Sequence, residues 1–157
     1  MARLLILYLL LEGERSAYDV KQILSSPFVS YWFTLADPSI YSALKTLAKN
    51  GFANSRKSGR ATTYRITKKG VVEFKTCLER AWKSNDEKEF LAALAVSPDL
   101  TARDLRQHLE DRVGLAQTRY EQLQAIKSGA MSSLLASREE FLLNAEREWL
   151  REALNGA

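Results

Sequence analysis

The sequence predicts a mainly α-helical chain carrying one small β-hairpin, and three observations lead there. A helix-patterned stretch beginning at Asp37-Pro38 gives way to two short alternating runs around Ser58-Gly59. Elsewhere the apolar residues recur at helical rather than alternating spacing, most clearly from Leu105 onward. The charge is also unevenly divided, with 13 basic and 6 acidic side chains in residues 1–82 against 10 and 13 in residues 83–157. The halves carry +7 and −3, which sum to the net +4. A basic head on a mildly acidic tail suits a nucleic-acid module joined to an interaction module. The expected division is 1–82 and 83–157, at the polar cluster Lys83-Ser84-Asn85-Asp86.

The first helix is expected over Ala2 to Leu11. Arg3 before an apolar run imitates a signal peptide, but the run from Leu4 to Leu11 is short, Glu12 and Glu14 follow it, and no small-x-small cleavage site appears. A bilayer span needs about 20 apolar residues. The segment therefore reads as a buried helix with no membrane role, and its apolar residues wrap most of its circumference, so it wants cover on more than one side. Ser16 starts a second helix, with Tyr18, Val20, Ile23 and Leu24 as apolar or half-apolar positions, and Ser25-Ser26-Pro27 stops it. The aromatic segment Phe28 to Leu35 reads as a connection whose Phe28, Trp32 and Phe33 plug the core.

Asp37 and Pro38 start the third helix, the carboxylate accepting from free N–H groups and Pro filling the first turn. Gly51 ends it. Ile40, Leu44 and Leu47 share one stripe, while Ser42, Lys45, Thr46 and Lys49 occupy the opposite arc with Ser39 and Tyr41 at its margins. Phe52 to Lys57 and Ala61 to Thr67 then form the hairpin, with Tyr64 and Ile66 alternating against Arg65. From Pro38 to Lys69 there are eight Lys/Arg and no acid. Helix face and hairpin together read as a DNA-binding surface made of Ser39, Tyr41, Ser42, Lys45, Thr46, Lys49, Arg56, Lys57, Arg60, Arg65 and Lys68. The helix would address base edges, and the hairpin phosphates or a minor groove, where cations gain affinity by releasing counterions.

A helix follows from about Thr67 to Trp82, then a short apolar one over Glu87 to Val96 with Ser84 and Glu87 at capping-box spacing. Thr101 and Asp104 open a long helix whose Leu105, Leu109, Val113, Ala116, Tyr120, Leu123 and Ile126 approximate a heptad seam. Ser128-Gly129 interrupts it, and a last helix runs to about Leu154, with Ser137 and Glu140 at capping-box spacing. Two long amphipathic helices with too little chain to cover both faces suggest a homodimer. Its expected contacts are Leu105, Leu109, Val113, Tyr120, Leu123, Phe141, Leu142 and Trp149. Two subunits would place recognition helices on half-sites about one helical turn apart, on a pseudo-palindrome.

Cys77 is the only cysteine, which excludes an internal disulfide and points to a reducing cytoplasm. The one histidine, His108, stands in no nucleophile, metal-ligand or phosphate-loop motif. The chain is therefore expected to be no enzyme and to use neither metal nor cofactor. Trp32, Trp82, Tyr120 and Trp149 are candidates for lining a pocket for a small aromatic effector. A competing reading is a winged-helix scaffold that meets an acidic protein instead of DNA.

Several motifs resemble the PadR family of bacterial transcription regulators. They are Ser16-Ala17-Tyr18-Asp19-Val20, Tyr31-Trp32, the pattern Ile40-Tyr41-x-x-Leu44-x-x-Leu47-x-x-x-Gly51, and Gly59-Arg60, Tyr64-Arg65 and Thr67-x-x-Gly70. The resemblance implies a homodimeric winged helix-turn-helix regulator whose C-terminal helices form the dimer and, in some members, help enclose an effector. It makes Tyr41 the recognition tyrosine, Lys45 its neighbouring contact and Arg60 the wing arginine. The tail is similar to the branch with a virulence-activator-like helical C-terminal region. Ala17 stands where the family often has Gly, and Ser42 where Pro is common.

Overall fold

The structure, a computed structural model, describes residues 1–59, 61–126 and 133–156. The chain divides into two compact units, Met1–Pro98 and Asp99–Ala157.

In the first unit, helix α1 (Ala2–Leu11) buries Leu4, Leu5, Ile6, Leu7, Leu9 and Leu10. An apolar helix buried nearly all round must be packed from several sides, and α1 contacts four later elements of the unit. Strand β1 (Arg15–Ser16) leads into α2 (Ala17–Leu24), where Ser16 accepts from the Asp19 amide at 3.1 Å and Asp19 accepts from the Ser16 amide at 2.9 Å. This reciprocal box satisfies two backbone donors that a helix start leaves open. Next come α3 (Pro27–Trp32), α4 (Asp37–Lys49), β2 (Ala53–Ser58), β3 (Ala61–Ile66), α5 (Lys68–Trp82) and α6 (Glu87–Ala95).

The three strands form an antiparallel sheet in the order β1-β3-β2. Gly59 turns the hairpin at φ +60°, a left-handed conformation that a side chain would strain. Ile40, Leu44 and Leu47 are at most 1% exposed and form the expected core face of α4. Truncating Leu44 to Ala would cost about 2–5 kcal/mol.

Four expectations change here. The segment after Ser26 is a short helix rather than a connection, and only Phe33 enters the core, because Phe28 and Trp32 are 78% and 45% exposed. Asp37 does not cap α4, whose N-cap position is Ala36. Its carboxylate pairs instead with Lys21 Nζ of α2. The cap of α6 is Asp86, which accepts from the Lys88 amide, while Ser84 accepts from the Asp86 amide. The compact unit also reaches Pro98 rather than ending at Trp82. Phe90 of α6 stacks edge-on against Trp82 at 5.6 Å, and both are buried, so α6 completes the core of the basic half.

The second unit holds α7 (Ala102–Ile126) and α8 (Ser133–Gly156), an antiparallel pair in which Arg106 reaches Leu154, Arg112 reaches Glu146 and Arg119 reaches Glu139. Thr101 precedes α7 and accepts from the Asp104 amide at 3.1 Å, as a cap does. Ser137 lies inside α8 and does not begin it. The Ser128-Gly129 interruption lies outside the described residues. Leu109, Ala116 and Leu123 of α7 meet Ala136, Leu143 and Leu150 of α8 as the buried seam, and the seven-residue spacing on α8 is that of a coiled-coil contact line.

Candidate nucleic-acid interface

Helix α4 lies across the first unit with its apolar stripe inward, so the residues a third to a half turn away must face out. Ser39, Tyr41, Ser42, Lys45, Thr46 and Lys49 are all exposed. A shallow groove of about 320 Å³ runs along this face between Pro38, Tyr41, Ser42, Lys45, Thr46 and Lys49. Thr46 is partly committed, since its hydroxyl donates to the Ser42 carbonyl at 2.8 Å. A second hollow beside it brings in Arg3 of α1, which in the sequence stands out only as a charge preceding an apolar run. Arg3 also pairs with Glu73 at 2.8 Å.

The hairpin distributes its cations by register. Arg56 pairs with Thr63 and Asn54 with Arg65, and directly opposed residues in an antiparallel ladder project from the same side. Arg56 and Arg65 therefore share one sheet face, whereas Lys57, opposite Thr62, projects from the other with buried Tyr64. All three arginine and lysine side chains are exposed, as is Lys68 at the start of α5. Arg60 lies outside the described residues.

The acid-free surface of the linear sequence is not acid-free in space. Ser16 of β1 pairs with Thr63 of β3, which brings Glu14 onto the face that carries Arg56 and Arg65. Thr63 Oγ1 donates to Glu14 Oε1 at 2.6 Å. A two-residue strand has no periodicity to reveal it, so the sequence carried no signal of this neighbour. Asp37 at the start of α4 is likewise drawn to Lys21, whose ammonium it holds above the usual lysine range by hydrogen bonding and charge. This pair ties α2 to α4.

The unit is a winged helix. Its helix-turn-helix is α2 and α4 with α3 between them, and the β2–β3 hairpin is the wing. No family model matches the chain, and no curated protein matches it. Solved structures do. A transcriptional regulator from Clostridium thermocellum is 30% identical over 50% of this chain and 78% of its own, with a TM-score of 0.45. PadR from Bacillus subtilis in complex with operator DNA is 20% identical over 99% of this chain and 97% of its own, with a TM-score of 0.44. The virulence activator AphA from Vibrio cholerae is 18% identical over the same shares, at 0.43.

The remaining expected site residues belong partly to each unit. Trp32 lines an apolar cavity of about 590 Å³ in the first unit, with Tyr8, Phe28, Phe33, Leu91 and Leu94 among its walls and Glu12 as its one carboxylate. Trp82 is not part of that lining. It is 4% exposed against Phe90. Tyr120 and Trp149 belong to the second unit, where the Tyr120 hydroxyl meets Glu140 at 3.3 Å and Arg147 stands 5.1 Å over its ring. Of the expected dimer contacts, Leu109 and Leu123 are consumed inside the α7/α8 seam and Leu105, Val113 and Tyr120 are half-buried. Phe141, Leu142 and Trp149 are 71%, 41% and 44% exposed on α8. Among the described residues no cluster of side chains could hold a metal ion, and no helix is long and apolar enough to cross a membrane.

Proposed function

We propose that the protein is a homodimeric, PadR-type transcriptional regulator that binds duplex DNA through α4 and the wing. The observation that carries this reading is the outer face of α4, where Tyr41, Ser42, Lys45 and Lys49 are exposed in one groove on a helix held rigidly by its opposite stripe. A helix so mounted fits a major groove. Tyr41, Ser42 and Lys45 would address base edges, while Ser39, Thr46 and Lys49 flank them and Arg56, Lys57, Arg60, Arg65 and Lys68 meet phosphates or an adjacent minor groove.

The residues 99–157 supply the dimer contact in this reading. Leu134, Leu135, Phe141, Leu142 and Trp149 are exposed together on α8, an unusual expanse of large apolar side chains for a surface helix. A second copy covering them would bring two recognition helices onto a pseudo-palindromic operator. In this reading effector tuning falls to the cavity beside Trp32, whose size lies in the range of small-molecule sites.

The test is an anisotropy titration against duplex DNA from upstream of the protein's own gene and against scrambled DNA, at several salt concentrations. Binding that distinguishes the two and saturates at two subunits per site is expected. Equal, weak binding that disappears with modest salt would overturn the regulator reading and favour a winged-helix scaffold. Phe141→Asp should convert the dimer to monomer in sedimentation, and an unchanged mass would remove α8 from the contact.

A further inference from the structure

Every helix leaves its last carbonyls without partners inside the helix, and α4 leaves them where the chain turns toward the wing. The Asn50 and Gly51 carbonyls stand at this exit, with Gly51 at φ +75° and Phe52 following it. The N-terminal turn of α5 meets three successive carbonyls here. Lys69 Nζ donates to the Asn50 carbonyl at 3.0 Å. Thr67 Oγ1 donates to the Gly51 carbonyl at 2.7 Å, with the Phe52 carbonyl beside it at 3.2 Å, and the Thr67 amide donates to the Phe52 carbonyl at 3.0 Å.

The same Thr67 oxygen accepts from the Gly70 amide at 3.0 Å, so one side chain holds the segment that leaves α4 and caps the start of α5. The Lys69 ammonium lies 5.0 Å from the centre of the Phe52 ring. Gly70 approaches so closely that a Cβ there would fall 2.0 Å from the Phe52 carbonyl oxygen. No side chain is accommodated at that distance without moving α5 away from Phe52.

We propose that Thr67, Lys69 and Gly70 form a clasp that fixes the recognition helix against the wing, with Lys69 acting as a positioning residue and not as a DNA contact. The proposal rests on the DNA-binding reading above and deepens it. The wing strands lie between the two clasped segments, β2 leaving Phe52 and β3 arriving at Thr67. Fixing those two points sets the base of the hairpin relative to Lys45 and Lys49. Within the basic run, composition makes Lys68 and Lys69 equivalent, but geometry separates them. Lys69 has its ammonium on the negative end of α4, where a cation stabilises the helix.

Salt dependence distinguishes a positioning cation from a contacting one, because a lysine on phosphate releases a counterion and a lysine on a carbonyl does not. Lys69→Met keeps the apolar stem over Phe52 and deletes the donor. Its affinity for the operator should fall roughly three- to tenfold, the scale of one lost hydrogen bond, with an unchanged slope of log K against log salt. A slope lower by about one would make Lys69 a phosphate contact, and an unchanged affinity would make the clasp irrelevant to binding. Either result overturns the proposal.

Thr67→Val should weaken binding similarly and Thr67→Ser should restore it. A free-protein measurement keeps the clasp testable if the wild-type chain fails to discriminate operator from scrambled DNA. Amide exchange at Gly70 should be at least about tenfold faster in Thr67→Val than in wild type or Thr67→Ser. Unchanged exchange would overturn the clasp. Faster exchange with no specific DNA binding by wild type would retain the local geometry but overturn its role in recognition.

Discussion

The buried ion pair of the helical hairpin makes an asymmetric prediction. Arg112 is 1% exposed, and Glu146, 13% exposed, meets its Nε at 2.6 Å and its Nη2 at 2.5 Å. Glu146 also lies 3.7 Å from Arg119, which has its own closer partner in Glu139 at 2.8 Å. Replacing Glu146 with Leu removes the carboxylate facing a guanidinium that water barely reaches. Breaking such a pair typically costs about 3–5 kcal/mol, because the surviving charge keeps its desolvation penalty.

Replacing Arg112 with Leu leaves Glu146 better exposed and still near Arg119, so the cost should be smaller, about 1–3 kcal/mol. The double replacement should recover part of the loss, since two leucines in a seam of Leu109, Leu143 and Leu150 pack without charge. Urea unfolding of the four chains, followed by circular dichroism with Trp149 fluorescence as a probe in the second unit, gives the comparison. Equal costs for the two single variants, or a double variant worse than both, would refute this account of the pair.

Four shorter predictions concern other sites. Lys45→Ala should weaken specific binding by about 1–3 kcal/mol if it reads a base, or lower the salt slope by about one if it meets phosphate. Anisotropy showing neither change would remove it from the interface. Glu14→Gln should strengthen DNA binding, because a carboxylate stands on the sheet face of Arg56 and Arg65; weaker binding would mean that its hold on Thr63 matters more than its charge. The Ser16 hydroxyl and amide hold the Asp19 carboxyl below its ordinary pKa, so its capping contribution is complete above the unfolded value and is lost as pH falls through the folded one. Asp19→Asn should remove that acid-range step from the exchange of the α2 amides. Burial, followed by the charge of Glu73, pushes the Cys77 thiol up, so alkylation near neutral pH should be slow in the folded chain and rapid in urea.

The parts of the fold legible in the sequence are those that a single stripe or a backbone requirement decides. Ile40, Leu44 and Leu47 define the inward side of α4 without knowledge of what lies beneath, and Gly59 marks the hairpin turn. Partners are another matter. The stripe through Leu109 and Leu123 revealed a buried face, but periodicity cannot say whether that face meets another copy or its own chain, and here it meets α8. Asp37 had the spacing of a cap until Lys21 offered it a charge. Glu14 and Lys69 illustrate the same limit within the candidate interface. One arrives through a strand too short to show alternation, and the other is turned away by a carbonyl distant in sequence.

The burial of α1 bears on how the protein is made. Its six inward leucine and isoleucine residues precede in the chain the surfaces that cover them, which belong to α4, β3, α5 and α6, the last of which ends at Ala95. During translation this greasy segment must wait while most of the unit emerges, and contacts that span so much chain form slowly. Until α6 has left the ribosome, α1 lacks part of its cover, and its apolar surface is open to aggregation.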